Sequence, residues 1–214
     1  MKFTLSILAL LAIAFLVGCS AKDTRDNKLS NSEITKLGKK YGGVYVFNKK
    51  FEKEIDDRER ERQELSQELG NKIRSNPRKI KNGNEYIIIY DIDMTPVDQK
   101  LPQTLSNGKK YYTSTRSYEQ DYKKAVNVSK KYINEVINFI GQEDYNKFKP
   151  SIDIGYFYVD NDEIVPIELS ATYSYQGTKF GFFGDEGRGF ALSRDEIYTV
   201  KGGNRFYLED LERK

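Results

Sequence analysis

One cysteine and no histidine among 214 residues narrow what this chain can become more than any motif does. A Ser-His-Asp or Cys-His nucleophile system is excluded, and so is a zinc site built from histidine and cysteine. Only carboxylates, lysine, tyrosine, serine and threonine remain for chemistry. The fold cannot use a disulfide either, so hydrophobic packing must hold it alone. The rings available for that packing are 16 tyrosines and 12 phenylalanines, with no tryptophan. Such residues suit strands with one buried and one wet face.

The single cysteine also sits in a telling place. Residues 1–18 carry one charge, Lys2, and an apolar run from Leu5 to Val17. That run is too short to span a bilayer as a stable helix and ends in small residues, as a secretory signal does. A plain secretory signal would leave Cys19 unexplained. Leu16-Val17-Gly18-Cys19 resembles the lipobox of bacterial lipoproteins, and the resemblance covers residues 1–19 only. It implies cleavage before Cys19 by signal peptidase II, a diacylglycerol thioether on Cys19, and acylation of the new N-terminus. Two or three acyl chains satisfy the two-signal requirement for stable anchoring. Ser20 in the next position implies transport to the outer membrane, by the pattern of enterobacterial lipoproteins. The resemblance therefore predicts a lipid-anchored protein of the cell envelope, with the membrane as its first partner.

Losing residues 1–18 removes one charge from the chain's +3 and leaves +2. A chain so near neutrality is not expected to bind nucleic acid. Three stretches are expected: a signal peptide at 1–18, the lipidated cysteine with a polar tether at 19–40, and one α+β domain at 41–214. Val44–Phe47 reads as a strand. A helix capped by Asn48 is expected to run to about Ser75, its charged middle at Asp56–Glu64 solvated. Asn82-Gly83 is a hairpin signal before Glu85–Met94, which alternates Tyr86, Ile88, Tyr90, Ile92 and Met94 against Ile87, Ile89, Asp91 and Asp93. Ser117 is expected to open one long helix ending at Gly141. Strands follow from Ile152 onward. The order implies one mostly antiparallel sheet with two main helices.

Two constellations bear on chemistry. Asp91 and Asp93 share a strand face, which could bind a cation or share acid–base work; the simpler reading is that the face emerges into water at the strand's end. Asp160-Asn161-Asp162-Glu163 starts like a calcium loop but has Val165 and Ala171 where glycine and glutamate are needed, so a hairpin turn explains it better. No metal or other cofactor is implied.

The leading expectation is a non-enzymatic binding protein of the envelope: an assembly factor, a surface protein, or an inhibitor or immunity-type protein. Its contact surface is expected on the strand with Tyr173 and Tyr175 and the glycine-rich loop with Phe182, Phe183, Asp185 and Arg188. Tyrosine gives large contact area at low entropy cost. The alternative is a carboxylate-based hydrolase of cell-wall glycan drawing on Asp91, Asp93, Glu168, Asp185 and Glu186. Convergence of two of these in a cleft would separate the readings.

Overall fold

The computed structural model describes residues 29–83, 85–185 and 189–210. Helices and strands are mixed as an α+β fold, but the strands form sheets of five, two and three rather than one. The described chain divides into two compact units.

The first unit holds residues 29–43, 137–151 and the described part of 171–204. It opens with α1 (Asn31–Tyr41), started by a capping box: the Ser30 hydroxyl accepts from Glu33 N–H, and the Glu33 carboxylate accepts from Ser30 N–H. These bonds satisfy donors that a helix start leaves open. Ile34, Gly38 and Tyr41 are buried, so the expected tether to Lys40 is corrected; by Asn31 the chain is already packed. Gly38 is there because a Cβ would lie 2.7 Å from the Val200 side chain. At the other end of α1, the Asn204 amide donates to the carbonyls of Lys39 and Gly42, both at 2.9 Å. Most of this unit's strand is one long ribbon, from the Ala171 end of β8 (Glu168–Asp185) and β9 (Gly189–Val200), paired from Tyr173↔Val200 to Asp185↔Gly189.

The second unit holds residues 44–136, 152–170 and 205–210 of the described chain. Its sheet is formed by β1 (Gly43–Val46), β5 (Ser151–Ile154), β10 (Asn204–Tyr207) and the first residues of β8. A second sheet pairs β4 (Tyr111–Tyr112), β6 (Phe157–Asp160) and β7 (Glu163–Pro166). Asn161 and Asp162 both take positive φ, 48° and 63°, as the tight hairpin turn between β6 and β7 requires. Helix α2 (Lys49–Leu69) is capped by the Asn48 side chain as expected, but stops at Gly70 instead of near Ser75. A 3₁₀ turn over Gly70–Ile73 leads into β2 (Arg74–Asn82), which pairs with β3 (Glu85–Ile92). Pro77 falls in the register irregularity between Ser75 and Arg78, where no ladder N–H is needed.

The short helix α3 (Thr95–Lys100) follows. The long helix expected from Ser117 is two: α4 (Thr115–Tyr122), ended by Lys123 in the left-handed region, and α5 (Lys130–Ile140). The segment between them contains Val126, Asn127 and Val128, all weak helix formers, and Val126 packs on a cluster of Tyr112, Tyr118, Phe157 and Ile164. The short helix α6 (Gln142–Lys147) completes the set.

Charge enters the core of the second unit through α2. Arg62 is only 4% exposed. Its guanidinium donates to the Leu101 carbonyl and to Asp98 Oδ1 at 2.6 Å, and lies 3.3 Å from Glu59 Oε1. Glu59 in turn accepts from the Tyr111 hydroxyl at 2.6 Å and from Gln103 at 2.8 Å. Within the expected solvated face Arg62 alone is buried, and its partners reach the surface. Arg62→Met should cost about 2 kcal/mol, because the Leu101 carbonyl loses its charged donor. Arg60→Met, in an exposed pair with Asp57, should change stability by less than about 0.5 kcal/mol. Urea unfolding of both variants checks this; equal effects would mean that the Arg62 network carries no stability.

Candidate functional site

The expected contact residues separate by burial. Tyr173 is fully buried and stacks on Phe148 with ring centroids 5.8 Å apart. Its hydroxyl has no hydrogen-bond partner among the described residues, and burial pushes its pKa well above the usual phenol range. Tyr173 is therefore corrected from contact residue to core. Tyr175 is half-buried and stacks on Tyr198 across the ribbon at 5.5 Å.

Beyond this point the ribbon turns outward. Phe182 is 86% and Phe190 81% exposed, and Phe180, Leu192 and Ile197 are also largely in water. The register shifts between Phe180 and Phe183, and such a bulge twists and re-aims the strand. Phe183 is half-buried, with the Arg194 guanidinium 4.5 Å from its ring centre. Asp185 closes β8 opposite Gly189. Arg188, Glu186 and Cys19 lie outside the described residues. Of the expected surface residues, Phe182 is the most exposed among those described. Phe190, Leu192 and Ile197 were missed as contact residues, although the two-residue spacing of Phe190 and Leu192 was a readable strand signal.

Of the carboxylates expected for hydrolysis, Asp91, Asp93 and Glu168 have described side chains, and each has its own separate partners. Asp91 pairs with Arg78, and Asp93 accepts from the Thr95 N–H at 3.0 Å; hydrogen bonding by the Thr95 side chain first, and by its N–H second, holds the Asp93 pKa below the ordinary value. Glu168 sits apart from both, with a partner the sequence did not single out. Glu52 on α2 and Glu168 on β8 are both buried and both face Arg205, at 3.1 Å from Nε and 3.4 Å from Nη2 respectively. The Glu52 contact is an ion pair off hydrogen-bond geometry, since that oxygen has no donor among the described residues. Gly155 makes room for the pair: a Cβ there would lie 2.3 Å from Glu168 Oε1. Burial raises both carboxyl pKa values, and the Arg205 charge opposes the rise. Nearby Tyr156 is pushed up to about 12, mainly by burial.

Two surface cavities, of about 370 and 440 Å³, flank the segment between α4 and α5 and are lined by residues such as Lys124, Asn127 and Asp162, and Glu119, Val128 and Ile152. Neither is lined by Glu52, Glu168 or Arg205. Among the described residues no group of three or more carboxylates is placed to hold a metal ion. Comparison with known proteins finds no matching family model, no matching curated protein and no matching solved structure.

The triad of Glu52, Glu168 and Arg205 makes a signed prediction. A carboxyl whose folded pKa lies above its ordinary 4.5 contributes stability that is complete below the unfolded value and lost as pH rises through the folded value. Glu168→Gln should therefore gain stability relative to wild type as pH rises from about 4.5 to 7. Arg205→Met should lose about 2 kcal/mol at pH 7, the half-exposed guanidinium scaling down the usual cost of breaking a buried pair. Denaturant titrations across that pH range check both. A Glu168→Gln difference that does not vary with pH would contradict the arrangement.

Proposed function

We propose that this chain is an envelope lipoprotein, held to the membrane through Cys19, that acts by binding another protein rather than by catalysis. The distal part of the β8–β9 ribbon is its contact surface. The observation that carries the contact is the run of exposed Phe180, Phe182, Phe190, Leu192 and Ile197 on a ribbon whose other end is anchored by buried Tyr173. Burial on a partner would contribute about 2 kcal/mol for each such side chain, enough for a few of them to dominate an interface. The lipobox pattern at residues 16–19 supports the anchor, and it is a separate argument from the contact.

Each part has its own test. Cys19→Ala should abolish incorporation of labelled fatty acid, and labelling that persisted would remove the anchor from the account. A photo-crosslinking residue at position 182 or 190 should capture a defined protein in the native envelope, whereas one at exposed Lys36 should not. Phe182→Ser with Phe190→Ser should abolish a partner interaction without lowering the melting temperature. Capture at Lys36 alone, or early melting of the double variant, would place the contact elsewhere.

A further inference from the structure

The β2–β3 hairpin is a second exposed ribbon, with a different chemistry. It forms a sheet of only two strands. A hairpin of this kind is marginal in water unless one face is covered. Its register sorts the side chains, because residues directly opposite each other share a face. Lys79 pairs with Ile88, Lys81 with Tyr86, and Arg74 with Ile92. With the alternation of β3, one face therefore carries Tyr86, Ile88, Tyr90 and Ile92 together with Arg74, Lys79 and Lys81.

That face is uncovered and has one sign of charge. Tyr86 is 61%, Ile88 58%, Ile92 57% and Tyr90 41% exposed. The three cations are exposed too. Both described carboxylates of the hairpin, Glu85 and Asp91, fall on the opposite face, where Asp91 is already paired with Arg78. The cations lie along the rings: Arg74 is 5.4 Å from the Tyr90 centroid and Lys79 4.8 Å from that of Tyr86. Long cationic stems that cover apolar surface while the heads reach outward are the arrangement favoured at a lipid interface. Tyrosine rings belong at headgroup level.

We infer that this face of the β2–β3 hairpin docks on an anionic lipid surface. Tyr86, Ile88, Tyr90 and Ile92 lie against the acyl boundary over a length of about 20 Å, and Arg74, Lys79 and Lys81 meet lipid phosphates. Charge complementarity selects this occupant: a neutral surface would leave three cations without counter-charges. Each cation near an anionic leaflet strengthens contact roughly fivefold. The inference requires neither lipidation of Cys19 nor the β8–β9 contact.

Hydrogen exchange of the full-length protein tests it, read locally at residues 74–92 so that attachment through the N-terminus does not enter. The probes are vesicles of phosphatidylcholine with and without phosphatidylglycerol. With phosphatidylglycerol, exchange in the hairpin should slow at least tenfold, and the slowing should fade in high salt. Exchange in the β8–β9 ribbon should not change. Lys79→Ala with Lys81→Ala should weaken the effect by about 25-fold. Unchanged hairpin exchange would overturn the inference. Equal slowing on vesicles of phosphatidylcholine alone would overturn the anionic requirement. Slowing that grows with protein concentration in the absence of vesicles would identify a second copy as the occupant instead.

Discussion

Buried tyrosine is the constraint on which this structure depends. Tyr45, Tyr111, Tyr118 and Tyr173 are among its largest fully buried side chains, and each brings a hydroxyl into the interior with its ring. A buried hydroxyl left unmatched costs about as much as a lost hydrogen bond; the Tyr173 hydroxyl is left so among the described residues, whereas three other tyrosines are met by carboxylates. Tyr111 donates to Glu59, Tyr112 to Asp121 and Tyr41 to Asp144. Each of these carboxylates is met by a cation: Arg62, Lys110 and Lys147 respectively. The charge-rich composition is thus partly an interior requirement. The Glu52–Arg205–Glu168 arrangement extends the same habit to a site with two acids for one cation.

The same packing leaves two ribbons outside it. The distal β8–β9 ribbon and the β2–β3 hairpin continue past that packing, and their apolar side chains face water. Exposed apolar side chains scattered singly need no explanation, whereas a run of them on a ribbon points to a covering surface. The two ribbons differ in the sign of their chemistry. The first is dominated by phenylalanine, leucine and isoleucine with balanced charge nearby, which suits a protein partner. The second pairs tyrosine and isoleucine with cations on one face, which suits lipid.

Much of the local structure was legible. The Asn48 cap, the Asn82-Gly83 hairpin, the alternation along β3 and the Asp160–Glu163 turn all follow from short-range chemistry that tertiary context did not override. The misses came where long-range packing decided. Nothing local marks Gly38 as the point at which α1 approaches Val200, so the helix read as tether. The apolar stripe from Tyr122 to Ile140 is continuous on a helical wheel, yet the chain leaves the helix at Lys123 and Val126 packs on the Tyr112 cluster from the segment that follows. Alternation of Tyr173 and Tyr175 with polar residues could not tell a wet face from a dry one; the Phe148 ring over Tyr173 decides it. Arg205 was invisible as a partner of Glu52 and Glu168 because the three are far apart in sequence and meet only through β10, α2 and β8.

Hydroxyl-radical footprinting of aromatic residues, on the purified protein and in its native envelope, tests the central claim most directly. In the purified protein Phe182, Phe190, Tyr86 and Tyr90 should oxidise rapidly, while Tyr45, Tyr111, Tyr118 and Tyr173 should remain protected. In the envelope the first four should become protected and the buried four should not change. Rapid oxidation of the buried tyrosines, or equal labelling of the two ribbons in both settings, would contradict the division between a tyrosine core and two covered ribbons.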